Sequence, residues 1–324
     1  MMLRSLLAAL FTLAAGSAPA EPLRVVVISD LNGSYGSVDY APRVGRAVSA
    51  IVALAPDLVI STGDMVAGQR RPHLPEKTIR AMWDAFHAEV SDPLAAAGIP
   101  LVVTPGNHDA SAYPGFAHER RIFAEEWTAR RPNLDFTGAG DWPFHYAFDL
   151  GAARFASLDA TTVGALDSAQ QDWLATSMDG AGPARIVFSH LPIWPFTEGR
   201  ETDVIGDPAL QDQFAALEID IHLSGHHHGF YPGVIDGLGV ISQACLGSGA
   251  RRLLGDDRRS PAAITVLDIS ADGEIAVSAR TGPRFADPLD LRALPERLRT
   301  SGPVIERLDI APLPDAHWRR ADGN

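Results

Sequence analysis

A chain of 324 residues is long enough for one large domain or two small ones. Its 40 Asp and Glu against 27 Lys and Arg leave a net charge of -13 at pH 7, which makes it a poor candidate for general nucleic-acid binding, a function that rests on neutralising phosphates. A small phosphorylated substrate is not excluded, because bound divalent cations reverse the local field.

The first 20 residues read as a secretory signal peptide. Arg4 supplies a positive start, residues 6–15 are apolar, and Ala18-Pro19-Ala20 is a small-residue cleavage site. The apolar run is too short to span a bilayer comfortably. Cleavage after Ala20 is expected, with a mature start at Glu21, no membrane span thereafter, and a periplasmic or secreted bacterial location. Cys245 is the only cysteine, so no intramolecular disulfide is expected and no cysteine near the cleavage site offers a lipid anchor. Export without disulfides suits that setting.

Residues 24–28 form an apolar, β-branched run that ends in Ser29-Asp30-Leu31-Asn32-Gly33. Residues 40–55 follow, with Val44, Ala47, Val48 and Ile51 at helical spacing and Pro42 in the first turn. A second strand, 57–61, ends in Thr62-Gly63-Asp64. A second helix carries Ile79, Met82, Trp83, Phe86 and Val90 on one face, and the strand ending at Val103 leads into Gly106-Asn107-His108-Asp109. Such alternation predicts a parallel core with helices outside.

Residues 110–141 interrupt the pattern with a charged helix over 118–130 and a Gly-rich stretch near Gly138, read as a surface excursion near the site. Two short strands, 144–149 and 154–158, meet near Gly151. Asp167-Ser168-Ala169-Gln170 opens a helix with a capping-box pattern. The strand 186–188 ends in Ser189-His190, and 219–223 ends in Ser224-Gly225-His226-His227-His228-Gly229. Extended segments occupy 233–245, and 264–269 with 275–279 flank Ala271-Asp272-Gly273 as a hairpin. One domain over 21–283 is expected, followed by a C-terminal extension, 284–324, richer in Pro and charge.

Five apolar runs thus end in residues suited to metals: Asp30, Asp64, Asn107, His190, and the pair His226 and His228. In open α/β sheets ligands collect beyond the carboxyl ends of strands. Carboxylates, an amide and imidazoles together suit divalent transition metals.

The ordered set Gly63-Asp64, Gly106-Asn107-His108-Asp109, His190 and Gly225-His226-His227-His228 resembles the calcineurin-like metallophosphoesterases over residues 24–229. The resemblance implies an α/β fold, a four-layer α/β/β/α sandwich with two mixed sheets. It also implies a dinuclear centre of two divalent ions (Mn, Fe or Zn) and hydrolysis of a small phosphorylated substrate by metal-activated water. Carried over residue by residue, Asp64 would bridge both ions, Asp30 and His228 would hold the first, and Asn107, His190 and His226 the second. His108 would protonate the leaving oxygen or stabilise the transition state, with Asp109 orienting it in preference to the plainer role of a helix cap. The chain departs from the family at Asn32, which stands where the first motif usually has His; an amide oxygen is the weaker ligand. Purple acid phosphatases, which also lack that His, use a Tyr at the position of Ala67, leaving Tyr35 as the nearest substitute in sequence. The rival reading is a degenerate member that binds a phosphorylated ligand without efficient turnover.

Elsewhere the plainer readings compete. His227 is expected to point away from the ligands, and His222 to be a satisfied core histidine. His73, His87, His118 and His145 have no motif support, and Asp159 is expected to serve loop hydrogen bonding. Arg70, Arg71, Arg251 and Arg252 are either phosphate clamps or solvated surface, and Trp142 and Trp194 either line the crevice or pack.

Overall fold

The alternation along residues 25–28 fixes the architecture. Val25 and Val27 face one side of their strand, Val26 and Ile28 the other, and all four are buried. A strand buried on both faces needs cover on both. In the computed structural model, which describes residues 22–247 and 249–311 and the backbone of 318–320, a second sheet covers one face and helices cover the other. The expected signal segment lies outside the described residues, as do 312–317 and 321–324 of the extension.

The first sheet runs Asp287–Pro288, Ile275–Thr281, Ile264–Ile269, Leu23–Ile28, Leu58–Ser61, Leu101–Val103, with Trp318–Arg320 pairing beside Ile275–Thr281. Its last three strands are parallel, and Ile264–Ile269 is antiparallel to Leu23–Ile28. The second sheet runs Arg297–Arg299, Val304–Arg307, Tyr231–Ile235, Leu238–Ser242, Ile221–Ser224, Ala184–Ser189, Ala153–Leu158, His145–Leu150, Asp135–Asp141. Its four central strands, Leu238–Ser242 to Ala153–Leu158, are parallel.

Val25, Val27, Ile60 and Val102 pack with Phe148, Phe155 and Phe188 between the sheets. On the far face of the first sheet, Val26, Ile28 and Val59 meet Val44, Val48 and Ile51 of helix Pro42–Leu54 and Ile79, Met82 and Trp83 of helix Glu76–Phe86. Helices Ser168–Ser177 and Pro208–Ala216 bury Leu174, Leu210 and Phe214 against the second sheet. This is the expected four-layer α/β/β/α sandwich with two mixed sheets. Asp167 caps its helix as its pattern predicts, accepting from the Gln170 N–H at 2.8 Å. No helix among the described residues is long and apolar enough to cross a membrane.

Two expectations need correction. The Gly-rich stretch is no excursion over the site: Asp135–Asp141 is the edge strand of the second sheet, paired with His145–Leu150. The extension past residue 283 is no appendage either. Arg297–Arg299 and Val304–Arg307 continue the second sheet beyond Tyr231–Ile235, with Leu298 and Ile305 fully buried. Without them Tyr231–Ile235 would present an open sheet edge.

Candidate metal centre

The parallel strands of both sheets end on one rim. From the first sheet, Ile28 leads to Asp30, Ser61 to Asp64, and Val103 to Asn107 and His108. From the second, Ser189 leads to His190, and Ser224 to His226 and His228. The residues meet at a cleft of about 280 Å³ whose lining includes Asn32, Asp64, Asn107, His108, His226 and His228. The turns that deliver them are tight. Asp30, Asp64, His226 and His228 all have positive φ, between 51° and 63°, a conformation that costs non-glycine residues energy and clusters at functional sites. Gly106 has no alternative: a Cβ there would stand 2.0 Å from the Asp64 backbone nitrogen.

Ligand atoms gather in two groups that share Asp64, namely Asp64, His190 and His226, and Asp30, Asp64 and His228. His190 Nδ1 faces the Thr62 carbonyl at 2.8 Å, which directs Nε2 inward. There Nε2 meets Asn107 Oδ1 at 2.9 Å, His226 Nδ1 at 3.2 Å and Asp64 Oδ1 at 3.3 Å. His228 is held the same way, with Nδ1 3.1 Å from the Gly249 carbonyl and Nε2 3.1 Å from Asp30 Oδ1. Back-face hydrogen bonds of this kind fix the tautomer of metal-binding imidazoles. Asn107 is oriented too, since its Nδ2 donates to Gln69 Oε1 at 2.7 Å and leaves Oδ1 toward His190. Two imidazole nitrogens, an amide oxygen and a carboxylate converging lone pair to lone pair satisfy one another poorly with protons and well with a cation. The residues present therefore fit divalent metal ions.

The electrostatics agree. Burial opposes the charge on Asp64, yet the His190 and His108 imidazoles hold its carboxyl well below the usual range. Burial likewise opposes the charge on His228, and the Asp30 carboxylate overrides it, pushing the imidazole up to about 10. His190 is raised to about 9 against burial, chiefly by Asp64. Each carboxylate here is balanced by protons that a metal would displace.

Asn32 lines the cleft and donates Nδ2–H to the Val66 carbonyl at 3.2 Å. Tyr35 stands over His108, ring centroids 5.3 Å apart, and is 54% exposed. His108 points Nε2 toward Asp64 Oδ2 at 3.9 Å.

Asp109 does not orient His108. Its Oδ1 accepts from the Met65 and Val66 N–H groups at 2.8 and 2.9 Å, and its Oδ2 accepts from Gly106 at 3.0 Å. It caps the short helix Asn107–Ala110 and pins the Asp64 loop. Burial and the neighbouring Asp64 push its carboxyl up to about 7. The partner of His108 Nδ1 is instead the Gly68 carbonyl, at 3.0 Å.

His227 turns away from the cleft, accepting from the Phe196 N–H at Nδ1 and facing the Asp203 carbonyl through Nε2. His222 pairs with Ser189 Oγ in the core. Asp159 binds Arg120. Arg71 donates to the Pro114 carbonyl and lies over Phe116, and Arg252 pairs with Glu198; neither lines the cleft. Trp142 and Trp194 pack, donating to the Trp127 carbonyl and Gln211 Oε1. Arg251 does reach the cleft, held by the His226 carbonyl at 2.8 Å. Two cleft residues carried no signal in the sequence: Arg200, paired with Asp203, and Gln69.

Residues 23–230 match the family model for calcineurin-like phosphoesterases, and the chain belongs to that family. Similar solved structures include a purple acid phosphatase from yellow lupin seeds, at TM-score 0.60 and 17% identity over 82% of this chain and 52% of that one. A dimetal phosphatase from Danio rerio follows at TM-score 0.54 and 14% identity, over 83% of this chain and 98% of that one. GAP50, the anchor in the inner membrane complex of Plasmodium, gives 0.53 and 16%, over 81% and 85%. These likenesses concern the fold, and the chain spans about half the length of the lupin phosphatase. No curated protein sequence matches it.

Proposed function

We propose that this chain is an exported, metal-dependent hydrolase of phosphate esters built on a dinuclear centre. The observation that carries the reading is the pair of ligand clusters sharing Asp64 at the floor of a cleft that His108 overlooks. Asp30, Asp64 and His228 would hold one ion, joined by Asn32 through its amide oxygen; Asp64, Asn107, His190 and His226 would hold the other. When bound, such ions polarise a phosphoryl oxygen and make water a stronger nucleophile at neutral pH.

The remaining work falls to the chain itself. His108, acting as an imidazolium, keeps its Nδ1 hydrogen on the Gly68 carbonyl and gives the hydrogen on Nε2 to the leaving oxygen in the cleft, ending as the neutral ring. Arg251 and Arg200 stand near enough for their charges to repel, and a substrate phosphate relieves that repulsion. Monoesters and diesters are both candidate substrates. Export rests on the signal-like residues 1–20.

Asn32 favours a second reading, a member of the family that binds a phosphorylated ligand and turns it over poorly. One assay separates the two: release of nitrophenol from nitrophenyl phosphate and bis(nitrophenyl) phosphate by Mn²⁺-loaded protein. Turnover of either ester that chelation abolishes supports the hydrolase. Binding of phosphate without turnover of either supports the second reading.

A further inference from the structure

Glu119 sits on helix Ala117–Ala129, more than fifty residues from the Asp64 loop, and is 1% exposed. Its Oε2 accepts from the Gln69 N–H at 2.8 Å. Its Oε1 has no hydrogen-bond partner among the described residues, and His118 Nε2 stands 3.8 Å from it. A buried carboxylate spent on one backbone N–H asks what that peptide does.

The other end of the same peptide unit is the Gly68 carbonyl, which holds His108 Nδ1 at 3.0 Å. Gly68 also donates its own N–H to the His108 carbonyl at 3.0 Å. The space between Glu119 and His108 admits nothing more than this peptide: a Cβ on Gly68 would stand 2.5 Å from the His108 carbonyl oxygen and 2.7 Å from Glu119 Oε2. Gln69 is held at φ +61°, and its side chain is tied to Ser111 and Asn107. Hydrogen bonds in such a chain polarise one another. A carboxylate oxygen on the N–H makes the carbonyl across the peptide a stronger acceptor for the Nδ1 hydrogen, which fixes the ring with Nε2 directed into the cleft.

We propose that Glu119 is a positioning residue that sets the ring of His108 through the Gly68–Gln69 peptide. This rests on His108 being the proton donor of the proposed hydrolase. It fills the role that sequence adjacency had suggested for Asp109.

The test compares wild type, E119Q, E119A, H108A and E119A/H108A as full-length, Mn²⁺-loaded proteins. With alkyl phosphates, whose leaving groups need a proton, E119A is expected to lower kcat about tenfold, a loss of the size outer partners usually bring. KM and metal content should stay near wild type. E119Q keeps an acceptor oxygen and should recover most of the rate, and the double variant should be no slower than H108A. Equal rates for E119A and wild type, or an additional tenfold loss in the H108A background, would overturn the proposal. The ring is also read without turnover, by ¹⁵N spectra of the histidine nitrogens. Wild-type His108 should show its Nδ1 hydrogen held in a strong hydrogen bond to the Gly68 carbonyl, and E119A should weaken that bond. If no ester is hydrolysed by the wild type, the hydrolase reading falls, and an unchanged His108 spectrum in E119A would sink the positioning role by itself.

Discussion

The Tyr146 hydroxyl closes the edge of the first sheet by bonding both backbone groups of Val103. It accepts from the Val103 N–H at 3.1 Å and donates to the Val103 carbonyl at 2.6 Å. Tyr146 belongs to the second sheet, and Val103 ends the strand that carries the Asn107–His108 loop. The contact therefore sets the height of that loop relative to the ligands of the other sheet. Tyr146→Phe leaves two buried groups of Val103 unpaired and should cost about 1–3 kcal/mol of stability. Metal affinity should weaken as well. Chemical denaturation and metal titration of the variant check both, and a wild-type midpoint would show that the hydroxyl is dispensable.

His108 has no place in either ligand cluster. His108→Ala should keep its metal and lose hydrolysis by roughly a hundredfold or more, as removal of a general acid does. The loss should shrink for good leaving groups such as nitrophenolate. Near-wild-type rates on alkyl phosphates would remove His108 from the proton-donor role.

In the proposed dinuclear centre, Asn32 would decide how evenly the two ions are held. A neutral amide binds more weakly than imidazole and favours hard ions. One ion should therefore be lost on dialysis while the other stays, and added Mn²⁺ should restore activity. Asn32→His should tighten the loose site, with its ring replacing an amide now tied to the Val66 carbonyl. Metal stoichiometry before and after dialysis measures this. Two ions held tightly by the wild type and indifferent to the substitution would place the missing ligand elsewhere, with Tyr35 the first to test.

His222 gives the fold a pH dependence of its own. Burial pushes it down to about 3 from an ordinary value of 6.5. Between those values the unfolded chain takes a proton that the folded chain refuses, so stability rises with pH and is lost as pH falls from 6.5. The contribution reaches about 1.4 kcal/mol per pH unit. His222→Gln keeps a polar partner for Ser189 and removes the titration. Its stability should fall less than wild type between pH 6.5 and 4.5 in denaturant titrations, and parallel losses would contradict the assignment.

The candidate ligands that gather at the cleft were legible in the sequence because each lies within a few residues of the end of an apolar run. In a parallel sheet the position just past such a run is fixed in space, so five local patterns predict one cluster. Glu119, Gln69 and Arg200 carry no such pattern. Glu119 reads as one of several acids on a charged helix, and only the packing of that helix brings it to Gly68. Asp109 misled for a related reason. Neighbours on a helical turn point about 100° apart, so adjacency to His108 meant facing the backbone rather than the ring. The strands past residue 283 were hidden by their charges, because Arg297, Arg299 and Glu306 alternate with the buried Leu298 and Ile305 in very short runs.

In the proposed dinuclear centre, Asp64 stands between two ions. Anomalous diffraction from crystals of the Mn²⁺-loaded protein tests it most directly. The expected result is two peaks on either side of the Asp64 carboxylate, roughly 3.5–4 Å apart, one beside Asp30 and His228 and the other beside Asn107, His190 and His226. A single peak, or peaks away from Asp64, would contradict the dinuclear centre.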